Sequence, residues 1–250
     1  DDGSAPRVGG QADPNIDMTI RVGGVIAAVV GASRITGNIY RVYGTATAAA
    51  AATTSGVRKF PTNSAKGFRV IGIQVEAAAS ASSYIPTTSA AVTRQPDVLT
   101  ASSISWYRQD EGTVLFEGIV TALTATGNGL YVFSDGTSAN RITSYPGATG
   151  AMTAATVVGN VTQASFPTAN TTTANSVFRT ASVYKSNDFA VAMNGGAVAV
   201  DTAGGIPTIT QLRFGAVTAG NFYPFMGYAR LFDYYRARLP NTQIQGMSRV

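Results

Sequence analysis

Short runs in which β-branched or aromatic residues alternate with small polar ones recur along most of the chain, each bounded by Gly, Asn, Asp or Pro. This two-residue period is typical of half-buried β-strands, whereas the 3.6-residue period of an amphipathic helix is almost absent before the last dozen residues. The chain is therefore predicted to be all-β, and the number of strands requires at least two antiparallel sheets. The predicted strands are 18–22, 25–30, 39–46, 67–75, 103–107, 113–120, 129–134, 141–145, 175–184, 188–193, 197–201, 211–214 and 227–234.

Small neutral residues and specific turn residues support this interpretation. Only 12% of the residues are charged, so Ala, Thr, Ser and Gly must cover much of the surface, which favours β structure over salt-bridged helices. Asn194-Gly195-Gly196 supplies the positive φ angles of a tight hairpin, and Ser134-Asp135-Gly136 is expected to do the same. The Ala/Thr tract 46–55 is predicted to be a loop or a weakly formed edge strand rather than a helix.

The 250 residues suffice for one large sandwich or two smaller domains. Prolines 86 and 96 fix an extended connection, which predicts a partial jelly-roll β domain over 1–85, a linker over 86–102 and a second β-sandwich over 103–250. A short helix is expected at 242–249, with Asn241 as its N-cap and Ile244 and Met247 on one face.

The chain contains neither cysteine nor histidine. Disulfides, thiolate nucleophiles, the commonest general base and the Ser-His-Asp arrangement are thereby excluded. The densest acidic group is Asp110, Glu111 and Glu117, but Glu111 and Glu117 would lie about 20 Å apart on a strand, too far for a glycosidase pair. We therefore predict no catalytic residue, no cofactor and no enzymatic activity, although a pair built by two subunits stays open.

The pattern of possible metal ligands and the distribution of charge argue against two further classes, metal-dependent proteins and nucleic-acid-binding proteins. Asp135, Asn140, Asn187 and Asp188 are hard-ligand candidates for calcium, but turn chemistry explains each equally well and no dense acidic loop is present, so no essential metal is expected. The net charge of +5 comes from basic residues scattered singly along the chain, which does not predict nucleic-acid binding.

No membrane insertion is predicted, because the longest apolar stretch, 25–30, is far shorter than the roughly 20 residues of a bilayer span. The acidic and polar start, Asp1-Asp2-Gly3-Ser4, does not resemble a signal peptide. An extracellular type of fold without an export signal fits a protein that is released by lysis of the cell, and a processed or truncated start would give the same pattern.

Residues of the first half resemble a known family. The runs IGIQVE at 71–76, SYIPTT at 83–88 and AVTR at 91–94, followed by Asp97, are similar to the exit from a carbohydrate-binding-module-like jelly roll in bacteriophage tail and fibre proteins. GNIYR at 37–41 resembles a strand from the second half of that domain. Its first half has no counterpart here, so another copy, another protein or further chain would have to complete the partial sandwich.

The region from Trp106 to the end looks like the concanavalin A-like or laminin-G-like sandwich that commonly follows that link. The matching stretches are EGT at 111–113, the hairpin over 187–200, LRFG at 212–215, GYARL at 227–231 and YYRARL at 234–239.

The resemblance implies a phage virion fibre or spike component, located at the particle surface, whose lectin-like domain binds host cell-surface polysaccharide. Other virion proteins and further copies of the chain, as a homotrimer, are the implied partners. A capsid-decorating or head-fibre protein without sugar binding is the alternative, and a depolymerase component is a weaker third possibility.

Sugar-binding sandwiches place aromatic faces against the C–H face of a hexose and use amide or charged groups for its hydroxyls. The loop 219–224, bounded by Gly and Pro, is the first candidate contact, with a second turn and the start of the second domain as further ones. Core or interface packing is the alternative for each aromatic. The predicted glycan-binding residues are Trp106, Asn128, Tyr131, Asn221, Phe222 and Tyr223.

Overall fold

A computed structural model describes residues 18–22, 25–47, 55–59, 69–77, 81–92, 99–125, 127–215 and 224–250. The chain divides into two compact units, Asp1–Thr93 and Arg94–Val250. All strand pairs found within the described residues are antiparallel, which confirms the predicted all-β sandwich fold. No helix in the same residues is long and apolar enough to span a bilayer.

The first unit contains two small sheets. A three-stranded sheet has the order β2-β1-β5, and a separate hairpin pairs β3 with β4. Gly37, with φ of 49°, turns the chain between the two hairpin strands. Among the side chains whose burial is described in this unit, Thr19 and Ala27 are the buried ones. The strands are β1 (Met18–Val22), β2 (Val25–Ile26), β3 (Ala28–Thr36), β4 (Ile39–Thr45) and β5 (Gly56–Lys59).

The second unit is a two-layer sandwich, and its larger layer is a six-stranded sheet of order β11-β10-β9-β8-β15-β6. The register places Phe133 opposite both Ile142 and Leu212, so that these buried side chains lie side by side on one face. The strands are β6 (Leu99–Ala101), β8 (Tyr131–Ser134), β9 (Arg141–Pro146), β10 (Ala151–Val158), β11 (Val161–Thr171) and β15 (Gln211–Phe214).

The smaller layer is a five-stranded sheet of order β14-β13-β12-β7-β16, in which the long β7 lies between β12 and the edge strand β16. Its strands are β7 (Glu111–Val120), β12 (Val177–Lys185), β13 (Phe189–Met193), β14 (Ala199–Asp201) and β16 (Gly227–Tyr235), and the chain closes with α1 (Asn241–Met247).

Alternation along β7 explains how both faces of the smaller sheet are covered. Val114 and Phe116 point into the aromatic core shared with the larger sheet, whereas Leu115 belongs to a second cluster on the opposite face. Ile244 of α1 is fully buried in that second cluster, beside Ala181 of β12. The helix therefore shields part of the outer face of the sheet from water.

Several predicted elements are confirmed. The strands β1, β4, β7, β8, β9, β12, β13, β14, β15 and β16 lie at the predicted positions within a few residues. Asn194 and Gly195 have φ of 50° and 70° and connect β13 to β14, as the predicted hairpin requires. Gly136, with φ of 97°, lies in the turn from β8 to β9.

Other predicted elements were wrong. Residues 103–107 form a turn rather than a strand, because the Tyr107 amide bonds to the Ile104 carbonyl at 2.8 Å and the Tyr107 ring enters the core. Residues 69–75 carry no strand, and the Gln74 side chain there accepts a hydrogen bond from the Ile85 amide. The predicted closing helix is present, but it begins at Asn241, so Pro240 rather than Asn241 occupies the N-cap position and no side chain caps the helix.

The strands β3 beyond residue 30, β5, β6, β10 and β11 were not predicted. Most of the predicted loop 46–55 lies outside the described residues. The predicted domain limits of 1–85 and 103–250 stay a prediction, although Leu99–Ala101, within the predicted linker 86–102, pairs with β15 as an edge strand.

The turn between β9 and β10 offers a test of the backbone geometry. Gly150 has φ of 81°, and a Cβ atom there would overlap the carbonyl oxygen of Thr172, whose amide bonds to Gly150. We expect Gly150→Ala to lower the free energy of unfolding by about 2 kcal/mol or more.

Gly147 in the same turn is the matched control, because the nearest atom to a Cβ there is 3.9 Å away. Gly147→Ala should change the unfolding free energy by less than about 0.5 kcal/mol. Urea denaturation, followed by circular dichroism, measures both variants, and equal midpoints for the two would contradict the described turn.

Candidate functional site

Trp106 lies in the turn that leads into β7 and is partly exposed, at 37% of its accessible surface. Its indole ring meets Tyr234 edge to face, with ring centres 5.0 Å apart, and Phe133 at 6.2 Å. One side of the indole therefore rests on the aromatic core while the rest of the side chain reaches solvent.

A stack of tyrosines fixes the backbone next to Trp106. The Tyr107 ring packs against both Tyr184 and Tyr234, with ring centres 5.5 and 5.6 Å away. The Tyr184 hydroxyl donates to the Arg108 carbonyl at 2.6 Å, and the Arg108 amide donates to the Tyr234 hydroxyl at 2.9 Å. Because these hydrogen bonds are made by rings that are themselves packed, the Trp106 position is set by the sandwich interior.

Charged side chains form a network immediately after Trp106. The Arg108 guanidinium contacts both oxygens of Asp110, at 2.6 and 2.7 Å, and one oxygen of Glu111 at 2.8 Å. Lys185, opposite Glu111 in the sheet, completes the network at 3.4 Å. Two cations thus face two carboxylates, and we call these four residues together with Trp106 the Trp106 ledge.

The ledge is also anchored across the sandwich. The Gln109 side chain donates to the Ile209 carbonyl at 2.6 Å and accepts from the Ile209 amide at 3.0 Å. The Arg108 guanidinium, through its bonds to Asp110, lowers the pKa of that exposed carboxyl below its usual range. At neutral pH the ledge therefore carries an ionised carboxylate, at Asp110, four residues along the chain from the partly exposed indole of Trp106.

Asn128 and Tyr131, two further predicted glycan contacts, are buried. The Tyr131 hydroxyl bonds to the Ser182 hydroxyl at 2.5 Å and its ring packs edge to face on Phe133, so it presents no face to a sugar. The backbone amide of Asn128 donates to the Pro146 carbonyl. In the described part of the chain, neither the oxygen nor the nitrogen of the Asn128 side chain has a hydrogen-bond partner.

Asn221, Phe222 and Tyr223 lie outside the described residues. The flanks of their loop are described: Gly215 donates to the Leu130 carbonyl at 3.1 Å and accepts from the Phe225 amide at 3.2 Å.

The flanks of that loop and the Trp106 ledge lie at opposite ends of β7. Met226, next to Phe225, accepts from the Thr121 amide just past the last residue of β7. The ledge includes Glu111, the first residue of β7. A ten-residue strand separates the described flanks of the loop from Glu111 by about 30 Å.

The acidic residues considered as catalytic candidates and the residues considered as calcium ligands form hydrogen bonds and ion pairs within the sandwich. Glu117 is buried beneath Arg179 and Arg230, with Arg230 Nε 3.3 Å from its carboxylate. Asp135 accepts hydrogen bonds from Thr137 and Asn140, Asn187 accepts from Gly204, and Asp188 pairs with Arg238 at 2.7 Å. Within the described residues, no three side chains that could ligate a metal come together.

No protein-family model matches the chain, and no curated protein is similar to it. Solved structures share its fold. The leech intramolecular trans-sialidase complexed with 2,7-anhydro-Neu5Ac gives a TM-score of 0.50 at 14% identity, over 61% of this chain and 26% of that one. The chain is also similar to the CBM40 of the Ruminococcus gnavus IT-sialidase bound to α2,3-sialyllactose (TM-score 0.48, 14% identity, 56% and 84% of the two chains).

The fold is a lectin-like jelly roll. Domains LG4-5 of the mouse laminin α1 chain resemble it as well, with a TM-score of 0.45 and 12% identity over 59% of this chain and 41% of that one. At these identities the likeness concerns the fold alone, so the chemistry of any site has to be argued from the residues present here.

Buried tyrosines make stability depend on alkaline pH. Desolvation raises the pKa of Tyr131 to about 12 and raises the pKa values of Tyr107 and Tyr184 above their usual range. A raised folded-state pKa means that the stabilisation is complete below the unfolded value of about 10 and is lost as pH rises through the folded value.

Tyr131→Phe removes one of these groups. Between pH 10 and 12 the free energy of unfolding should fall less steeply in the variant, by about 1.4 kcal/mol per pH unit. Urea unfolding at several pH values measures both slopes, and the slopes below pH 9 serve as the control. Identical slopes above pH 10 would show that Tyr131 ionises in the folded protein as readily as in the unfolded one.

Proposed function

We propose that this protein is a non-catalytic glycan-binding component of a phage fibre or spike, displayed at the virion surface, where it attaches to host polysaccharide. The observation that carries the proposal is the Trp106 ledge on a lectin-like sandwich: a partly exposed indole held on the core, followed within five residues of the chain by a network of charged side chains. Phage origin rests on the resemblance of residues 71–97 and 106–239 to fibre proteins.

The indole supplies the apolar contact that a hexose ring needs. Because Tyr234 and Phe133 already fix the ring, little side-chain entropy remains to be lost when a sugar stacks on it. Preorganisation of this kind raises the affinity of a shallow site whose contact area is small.

The charges of the ledge favour a neutral sugar over an acidic one. Arg108 and Lys185 are paired with Asp110 and Glu111, so their positive charge is compensated before any ligand arrives. Asp110 keeps exposed carboxylate oxygens that accept hydrogen bonds from vicinal hydroxyls. We therefore propose neutral hexoses as the ligand class, although two of the structures with this fold are sialidase proteins with sialic-acid-related ligands.

Several copies of the chain on one particle would turn weak single-site binding into firm attachment. A homotrimeric fibre that packs against other virion proteins is the arrangement we propose.

A second candidate function is a capsid-decorating or head-fibre role without sugar binding. The observation in its favour is the set of exposed apolar side chains in the first unit, among them Ile71 and Tyr84, which suit packing against another virion protein.

Glycan-array binding of the full chain, followed by calorimetry on the glycans that bind, tests the first candidate. We expect neutral hexose polymers to bind and Trp106→Ala to weaken binding at least tenfold, about 1.4 kcal/mol. Tyr228→Ala, which removes an exposed aromatic from β16, is the matched control and should leave binding unchanged.

Trp106→Phe separates loss of the sugar contact from loss of folding, because it keeps an aromatic ring against Tyr234. It should retain most of the affinity and the wild-type unfolding midpoint. Binding that prefers sialylated glycans would contradict the charge argument. No binding to any glycan would favour the decorating role, and release of reducing ends from the polysaccharide would show a depolymerase.

A further inference from the structure

The turn between β13 and β14 contains one of the two Asn-Gly pairs of the chain, Asn194-Gly195, and the other pair is Asn128-Gly129. An asparagine loses its side-chain amide as ammonia most readily before a glycine, because no side chain hinders attack by the glycine backbone nitrogen. This reaction, deamidation, needs only water and is one reason why asparagine is a thermolabile residue.

Deamidation of this turn is a hydrolysis in two steps. The Gly195 backbone nitrogen gives its proton to hydroxide and attacks the side-chain carbonyl carbon of Asn194, and ammonia leaves as a five-membered succinimide ring forms. Water then opens the ring at either of its two carbonyl groups and leaves aspartate or isoaspartate at position 194. One water is consumed and one ammonia is released, without any oxidant or reductant.

The end of α1 holds the attacking group in place. The Gly195 amide donates to the hydroxyl of the buried Ser248 at 3.1 Å, and the Gln245 side chain donates to the Gly195 carbonyl at 3.3 Å. The Arg249 stem lies so close that a Cβ atom on Gly195 would be 2.8 Å from the Arg249 Cγ. Because ring closure removes the Gly195 amide proton, the hydrogen bond to Ser248 has to open first.

Strand β12 holds the group that is attacked. The Asn194 amide donates to the Arg179 carbonyl at 2.9 Å, and the Asn194 side-chain oxygen accepts from the Arg179 amide, also at 2.9 Å. The two reacting groups are therefore bound to two different elements, the carbonyl group to β12 and the nitrogen to the end of α1.

We propose that Asn194-Gly195 is a deamidation site of this protein and that α1 protects it, so that the turn is modified when the end of the helix opens. The helix has seven residues and no side-chain cap, and Ile244 is its buried residue. So short a helix depends on its packing against the sandwich rather than on its own propensity. Elements of this kind open locally without unfolding of the whole domain.

The second Asn-Gly pair lies in a different environment. Asn128 is fully buried, so the water that the second step requires does not reach it in the folded protein. Asn194 is partly exposed in its turn. We therefore expect modification at 194 and not at 128 for as long as the sandwich stays folded.

The two products affect the turn differently. Aspartate at 194 keeps an oxygen that accepts from the Arg179 amide. Isoaspartate leads the backbone through the former side chain and adds one carbon atom to the turn, which disturbs the 2.9 Å bond from the Gly196 amide to the Met193 carbonyl. Formation of isoaspartate should therefore loosen β14, an edge strand of the smaller sheet. This inference does not depend on glycan binding.

Peptide mapping by mass spectrometry, after incubation of the full chain at mildly alkaline pH, measures the deamidation rates at 194 and 128 separately. Ser248→Ala and Gln245→Ala each remove one hydrogen bond to Gly195, and each should raise the rate at 194 by about threefold to tenfold. Gln243→Ala, at an exposed glutamine of the same helix, is the matched control and should leave the rate unchanged.

The same measurement in concentrated urea gives the rates without the fold. There the wild-type chain and the variants should react equally fast at 194, and all of them faster than the folded wild-type chain. A folded wild-type rate equal to the rate in urea would overturn the proposal, and so would unchanged folded rates in Ser248→Ala and Gln245→Ala. A rise at 194 accompanied by an equal rise at 128 would show unfolding of the whole sandwich and would overturn it as well.

Discussion

The packing of aromatic rings around Phe133 holds the two sheets of the second unit together. Its ring contacts Tyr107 and Tyr131 with centres 4.9 and 5.7 Å away, and it reaches Phe232 and Tyr234 of the opposite sheet at 6.4 and 6.1 Å. Each buried aromatic contributes several kcal/mol through its removal from water and a further ~1 kcal/mol through ring contacts. The Trp106 ledge depends on this packing, because its indole rests on two of the same rings.

The sequence predicted the strands that line this core, because a large apolar residue at every second position is visible without the structure. Phe116 and Phe133 are examples. It did not reveal β10 and β11, whose inward positions include small residues such as Ala154 and Ala164, so their alternation is weak. The turn over 103–107 was misread as a strand because the pattern of apolar residues does not tell a strand from a turn that buries one ring.

The candidate site could be predicted only in part. Trp106 was visible as the single tryptophan at the start of the second sandwich, but its charged neighbours come together through strand register, which places Lys185 opposite Glu111. A buried tyrosine and an exposed tyrosine look the same in the sequence. Tyr131 is buried because β8 packs against the opposite sheet. Local sequence carries no record of either long-range arrangement, which is why a tertiary structure was needed.

The pairing of β7 with β16 joins an early strand of the sandwich to its last one. During synthesis β7 therefore leaves the ribosome long before the strand that covers its edge, and long-range pairing of this kind closes slowly. Until then the middle of that open edge carries the Glu117 carboxylate, which disfavours pairing with another nascent chain. In the folded sheet the carboxylate forms ion pairs with Arg179 of β12 and Arg230 of β16. The same side chain therefore disfavours wrong pairing before the edge is covered and joins three strands afterwards.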